Sequence, residues 1–458
     1  MRLTLALALL AFAAPGARAA SLDVTASYKM KAVSYRNLDL GQDTNNHSFL
    51  ENDARLGLAV KKVVLDSRGS EDTTLDLGLL LHALGVSGSS TPVSGPFDRA
   101  AGYYPSSNLA PFIENAYVRV NRLWGDPIEA TFGRQNFRLG SGLLLDDDGA
   151  GFTGATVRGE FPWAGLKGEL FLFQDKNPQA SAPNSLTLAG FSLSLPTEGT
   201  WQLNQLVEKD QAQQLVYGCS FPGSSADPTQ TAGCTVSKAL RSFTSARYQI
   251  SYGPLVFDGE AAMEKGVATP TGLNPAPNHV TYNADAEVVK MKWKQNLYRI
   301  GEGIARLSIA RGSGDNAGTA TRDEAFYPSH GHRYEGLERS GFGDFYAATP
   351  YDAFGGSYSS ATKNGLPPNA SGITVVGAGF TTPSFRGFLV DLDGYLYQAT
   401  RASGAGSTLG SELDTHLRYP IRDQFTLSCG MAYFKSGLIT DPGRSIARKY
   451  TFEASGRF

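Results

Sequence analysis

Several side-chain sets in this chain have types and spacing that could do chemistry. Asp146-Asp147-Asp148-Gly149 is a run of three carboxylates, and Arg119, Arg134, Arg138 and Arg158 lie near it in sequence. Opposed carboxylates and guanidinium groups across a wet passage would create a transverse field that selects among ions. If the Asp146 loop folds into such a passage it forms a constriction; at a loop tip it is only a solvated acidic patch. A calcium loop fits poorly, because its aspartates would alternate along the chain rather than run together. His330-Gly331-His332, near Asp323 and Glu324, has metal-ligand residue types but sits in a Gly/Ser/Tyr-rich stretch. Catalysis is poorly served. No Gly-x-Ser-x-Gly elbow, His-Glu-x-x-His or phosphate loop occurs, and the six histidines are scattered. Neither an enzyme nor a cofactor is expected.

The elements that would position these groups are strands, because the hydrophobic period is two. At the C-terminus Tyr450, Phe452, Ala454, Gly456 and Phe458 share one face, opposite Lys449, Thr451, Glu453, Ser455 and Arg457. Leu413, Thr415, Leu417 and Tyr419 oppose Glu412, Asp414, His416 and Arg418. Near the start, Leu22, Val24, Ala26, Tyr28 and Met30 oppose Asp23, Thr25, Ser27, Lys29 and Lys31. Ala116, Val118 and Val120 oppose Asn115, Tyr117, Arg119 and Asn121. A strand with one apolar and one charged face separates two solvents.

Connections alternate between short and long. Short ones include Leu123 to Pro127, Pro162 to Gly165, Gly253-Pro254 and Pro420 to Asp423; long ones include Gly85 to Pro111, Phe137 to Gly151 and Gly312 to Ser371. Antiparallel strands with tight periplasmic turns and long extracellular loops produce this rhythm in outer-membrane barrels. Trp124, Trp163, Tyr252, Tyr419 and Phe458 fall at the short-turn rim, as an aromatic girdle would. In hydrocarbon an open edge leaves amides unpaired, so the strand at Leu22 must pair with the one ending at Phe458. The expected fold is all-β, a transmembrane antiparallel up-and-down barrel. Clear segments number sixteen. A hairpin hidden between Asp175 and Arg241, at Ser185 to Leu195 and Gln211 to Tyr217, makes eighteen.

Composition agrees with a barrel. Charged residues are 18% of the 458, against about 25% in ordinary globular domains, while glycine (52 residues) and aromatics (11%) are abundant. With 41 basic and 43 acidic residues the net charge is -2, which gives no nucleic-acid footprint. Residues 1–19 read as a cleaved signal peptide: Arg2, an apolar stretch from Leu3 to Ala14, then Ala17-Arg18-Ala19. An uncleaved anchor is the alternative, but the apolar stretch is short for one. Residues 20–458 then form one barrel domain in the bacterial outer membrane. Cys219 and Cys234 enclose a Gly/Ser/Pro-rich segment, either as a disulfide suited to an oxidising compartment or as two free thiols. Cys429 reads as a small apolar surface residue.

Glu114-Asn115-Ala116-Tyr117-Val118-Arg119-Val120, then Gly133-Arg134-Gln135 after Ile128 to Phe132, then Phe152-Thr153-Gly154-Ala155, resembles the alginate-export family of outer-membrane porins. The resemblance implies an eighteen-stranded barrel that passes hydrophilic solutes or oligosaccharides. Thr153 stands where the family has an acidic residue, and the loop after Gln135 lacks a basic, tryptophan-bearing stretch. Strict alternation places Arg134 with Ile128, Ala130 and Phe132 on the lipid side. It is then either a rim arginine or is turned inward by a bulge, and the motif favours the bulge.

These readings predict a passive channel lined by Tyr117, Arg119, Arg134, Arg138, Arg158, Asp146, Asp147, Asp148, Arg247, Arg306 and Arg418. Its expected partners are outer-membrane lipid and lipopolysaccharide, small hydrophilic solutes or anionic and neutral oligosaccharides, and the barrel assembly machinery through Phe458. An adhesin or receptor acting through the loop 312–371 is the second expectation.

Overall fold

The structure is a computed structural model. It describes residues 20–458 apart from 39, 41–45, 68–70, 89–108, 162–164, 177–184, 212–234, 272–278, 298–299, 317–320, 333, 336–337, 340, 347–365, 368–369, 403–405 and 423. The signal-peptide segment 1–19, Cys219, Cys234 and Trp163 lie outside the described residues.

Eighteen long antiparallel strands form one closed barrel. Each pairs with its neighbours in sequence, from Ser21–Arg36 and His47–Asp66 through to Phe425–Ser436 and Ile446–Arg457. Closure comes from pairing the first strand with the last, with Ser27 opposite Arg457 and Arg36 opposite Arg448. Phe458 completes the seam, since its amide donates to Ala26 (2.8 Å) and its carbonyl accepts from Ala26 (2.9 Å). No amide row is left open to hydrocarbon there.

Burial is inverted relative to a soluble protein. Leu22, Leu58, Phe132, Leu170, Leu203, Met263, Leu396 and Phe452 are exposed on the outside. Lys31, Asp53, His82, Asn204, Arg241, Glu264, Glu412 and Lys449 are buried on the inside. An apolar belt outside and a polar wall within is what a barrel in a bilayer requires. Trp124, Trp201, Tyr252, Trp293 and Phe458 stand exposed toward the short-turn rim.

The hidden hairpin exists, with one correction. Its strands are Ser185–Pro196 and Thr200–Asp210, joined at Thr197 to Gly199; the expected second strand at Gln211 to Tyr217 begins just after the real one ends. The alternation there is blurred because Leu206 faces inward and is fully buried while Gln205 faces the outside. Inward leucines do not fit a simple water-filled bore. They are explained by what fills it.

Candidate functional site: the constriction inside the barrel

The strand Ile128–Gln135 ends at the long-loop rim, and the chain returns in Phe152–Phe161. Between them, residues 136–151 fold inward. The cause is apolar. Phe137, Leu139, Leu143, Leu144 and Leu145 are buried in one cluster with the lumen-facing Phe171, Phe173, Leu186, Leu188, Leu206 and Phe243. The Phe137 ring lies 4.7 Å from that of Phe171 and 4.9 Å from that of Phe173, centroid to centroid. Full burial of one such side chain contributes about 1.5–3 kcal/mol, which works against the cost of about 1–2 kcal/mol per residue of ordering the loop. The loop tip reaches the far wall. The Ser141 amide donates to Glu260 Oε2 (2.8 Å), and a Cβ on Gly140 would lie 2.6 Å from Glu260 Oε1. Gly140 also has φ +61°, so both backbone and space call for glycine.

The three aspartates hold this loop in shape. Asp147 accepts the Phe137 amide (3.0 Å), the Gly151 amide (2.9 Å) and the Asn136 side-chain amide (2.9 Å). Asp146 pairs with Arg138 and accepts the Asp148 amide (2.7 Å). Asp146 and Asp147 are buried, so the solvated loop tip is not what the chain forms.

A second inward segment, formed by the described residues between 313 and 346, crosses the lumen and locks onto the first. The His330 amide donates to the Leu144 carbonyl (3.1 Å), the Asp146 amide to the His330 carbonyl (2.6 Å), and the His332 amide to the Gly142 carbonyl (2.8 Å). The His332 ring faces Asp146 (3.1 Å), Asp148 (3.2 Å) and Glu335 (2.9 Å). Burial disfavours its charge, but hydrogen bonds to Asp146, Asp148 and Glu335 outweigh that and raise its pKa to about 10. Asp146, Asp148 and His332 each bring one ligand atom within 4.8 Å of the others, the geometry of a small cation pocket. Arg138, whose guanidinium lies 2.9 Å from His332 Nδ1 and also pairs with Asp146, already supplies positive charge there. Asp323 and Glu324, which the sequence placed near this histidine, are engaged elsewhere: Asp323 by the Ala325 amide, Glu324 by Arg322.

Further along, the segment docks on the opposite wall. The Phe345 and Tyr346 amides donate to Glu412 (2.5 and 2.8 Å), and Asp344 meets His416 (2.7 Å). The wall between the two anchors is braced by Arg241, fully buried, which bridges Glu208 (2.8 Å) and Glu264 (2.9 Å) and donates to the Tyr327 carbonyl (2.7 Å).

Beside the loop lies a cavity of about 480 Å³ lined by Arg55 and Arg158 from the wall and by Arg138, Asp146, Asp147, Asp148 and Glu335 from the loops. The expected facing of carboxylates and guanidiniums thus exists for Arg138 and Arg158. Arg119 stands deeper, its guanidinium 5.1 Å from the Tyr117 ring and 3.3 Å from Glu129, which Arg158 also approaches (3.7 Å). Arg247 forks onto Asp258 (2.6 and 2.8 Å) on another stretch of wall. Arg306 and Arg418 share Asp391, at 3.4 and 2.6 Å, with Asp393 also on Arg306 (2.9 Å).

Arg134 requires a correction. No bulge turns it inward: Ala116 opposite Arg134 and Arg134 opposite Thr153 pair without a register shift. It stays on the outer face at the long-loop end of its strand, where its guanidinium donates to the Ala150 carbonyl (2.5 Å). The bulge is on the neighbouring strand. Register slips between Leu80/Asn115 and Leu81/Ile113, which makes Glu114 the extra residue and buries it beside Asn115. Glu114 then accepts from Arg55 (3.1 Å) and Asn136 (3.0 Å) and lies 2.8 Å from His82. The sequence reading missed Glu114; two consecutive polar residues entering an alternating strand were the available signal.

The whole barrel can be compared with solved structures. OccAB1 of Acinetobacter baumannii superposes with a TM-score of 0.56 at 8% identity, covering 95% of this chain and 96% of that one. OpdK of Pseudomonas aeruginosa, solved with vanillate, gives 0.52 at 12% (95% and 98%), and a BenF-like porin of Pseudomonas fluorescens Pf-5 gives 0.53 at 11% (96% and 99%). This chain has the fold of outer-membrane porins. No family profile and no curated protein matches the sequence. The likeness supports a porin-type barrel and does not reach the alginate-export family in particular.

Proposed function

We propose that this protein is a passive outer-membrane channel for small hydrophilic solutes, with small organic anions as the favoured class. The observation that carries the reading is the loop 136–151 folded across the bore, leaving a cavity of about 480 Å³ between Arg55 and Arg158 on one side and Asp146, Asp147 and Asp148 on the other. Openings of this volume match small molecules rather than folded polymers. Guanidinium groups of the wall would exchange a carboxylate ligand with a passing acid, since each already pairs with a protein carboxylate of similar strength. The similar barrel solved with vanillate lends support to an acid-bearing solute. A uronate oligomer, the cargo that the Glu114 to Arg158 resemblance suggests, is less well served by a cavity whose four carboxylates (Asp146, Asp147, Asp148 and Glu335) outnumber its three arginines (Arg55, Arg138 and Arg158). An adhesin acting through the loop 312–371 is weakened, because Phe326, Tyr327, Phe342, Phe345 and Tyr346 from that stretch are buried inside the barrel.

Purified protein in planar bilayers tests this. Stepwise conductance is expected, with dwell-time blockades from small aromatic or aliphatic monoacids and weaker ones from neutral sugars. A folded protein that conducts nothing sinks the channel reading. Blockade by oligouronates alone would restore the alginate-export reading.

A further inference from the structure

The outer face carries a feature that the channel does not use. Arg36 and Arg448 stand directly opposite one another across the closing seam, both exposed and both at the long-loop end. Their faces are fixed by their neighbours: Tyr35, Ala447 and Lys449 are buried inside, so Arg36 and Arg448 point out. Arg448 is paired in turn with Tyr433, over whose ring its guanidinium lies at 5.8 Å, and Lys435 follows two residues later on the same face. Like charges directly opposite in a sheet repel, and among the described residues no ion pair forms on Arg36, Lys435 or Arg448. Three neighbouring cations with no ion-pair partner among the described residues, facing the membrane at the level of the outer-leaflet headgroups, match an anion from the lipid.

Directly below the cations, toward the membrane centre, is a groove of about 440 Å³ whose exposed walls are Ala32, Ser34, Ser48, Leu50, Tyr450 and Phe452. It is mostly apolar and runs along the same seam, with Ala32, Ser34, Ser48 and Leu50 on the first two strands and two aromatic rings on the last. Cations above an apolar trough match a lipid with phosphate at its head and several acyl chains beneath. We propose that Arg36, Lys435 and Arg448, together with the groove at Ser34 and Tyr450, form a binding site for a phosphorylated, multiply acylated lipid of the outer leaflet, of the lipid A type.

Native mass spectrometry of the full-length barrel in neutral detergent, titrated with lipid A, tests the site. A saturable single adduct is expected on the native protein. The triple variant Arg36→Ala/Lys435→Ala/Arg448→Ala should bind about a hundredfold more weakly, at roughly fivefold per cation removed. Lys209, Lys238 and Lys265, exposed outward at the same rim but away from the groove, provide a control. Replacing those three by alanine should leave the adduct unchanged. Equal losses in both triple variants would mean diffuse attraction and overturn the site. Dephosphorylated lipid A on the native barrel needs no variant to fold and should bind as weakly as lipid A binds the Arg36 triple variant. Undiminished binding of that lipid also overturns the proposal.

Discussion

His332 Nδ1 lies 3.1 Å from Asp146 Oδ2, which ties the segment 313–346 to the loop 136–151 in the middle of the bore. Both groups are buried, and this ion pair is the charged clasp that reinforces the three backbone hydrogen bonds already joining the two segments. Replacing His332 with glutamine keeps the size and removes the charge. Loss of charged hydrogen bonds of this kind costs about 1.5–3 kcal/mol. Single-channel records of His332→Gln should show larger current noise and brief higher-conductance excursions; quiet records identical to the native channel would exclude the clasp.

The same clasp has a pH window. His332 has a folded pKa raised from 6.5 to about 10, so its contribution is fully present below the ordinary histidine value and is lost as pH rises through about 10. Burial pushes Asp146 up, but hydrogen bonding to His332 and the nearby positive charge hold it below its ordinary 3.8. Its contribution is present above that ordinary value and disappears as pH falls through the lower folded value. Current noise should therefore be lowest between these limits and rise at both extremes. A flat profile through the alkaline limit would contradict the assignment.

Arg241 offers a test of stability apart from conduction. It is fully buried between Glu208 and Glu264, and removing it leaves two carboxylates in the wall with no cation. Breaking a buried ion network by deleting one partner costs about 3–5 kcal/mol, whereas replacing the whole network by apolar groups is often neutral. Urea unfolding of the barrel in lipid vesicles should show Arg241→Met strongly destabilised. The triple variant Arg241→Met/Glu208→Gln/Glu264→Gln should recover much of the loss. Equal stability of native and Arg241→Met barrels would show that Tyr327 and its segment dock without this bridge.

The strand pattern was legible because each transmembrane residue answers to one of two solvents, and a period of two survives nearly everywhere. Seam closure at Phe458 followed from the same argument. What did not show was the plug. Phe171, Phe173 and Phe243 face inward, against the pattern, because loop side chains distant in sequence cover them. Leu206 blurred the hairpin strand Thr200–Asp210 for the same reason. For the Asp146 run the sequence leaves a constriction and a solvated loop tip both open, because its partner His332 is almost two hundred residues away and joins it only through the fold. Arg134 was misjudged for a local reason: a bulge was expected near it, and the bulge lies across the sheet at Glu114, where two adjacent polar residues share the inside.

Ion selectivity should follow the wall arginines that face water most directly. Arg158 is about half exposed, pairs with Glu169 (2.6 Å) and Glu129 (3.7 Å), and borders the same cavity as Asp146 to Asp148. Arg158→Glu would place a third carboxylate beside those two and leave Arg55 and Arg138 as the cations of the narrowing. Arg119→Glu acts one step deeper on the same Glu129, and Arg418→Glu would add an acid next to Asp391 and Asp393. Carboxylates brought together at the narrowest point raise the local concentration of cations and repel anions, an effect that fades with salt over about 10 Å at 0.1 M. Reversal potentials in a tenfold salt gradient should move toward the cation value in each variant. Arg158→Glu should shift most, because it alone of the three lines the cavity at the loop. The shift should shrink at molar salt. If Arg418→Glu moves the potential and Arg158→Glu does not, the narrowing that governs ions lies at the Asp391 cluster instead of at the folded loop.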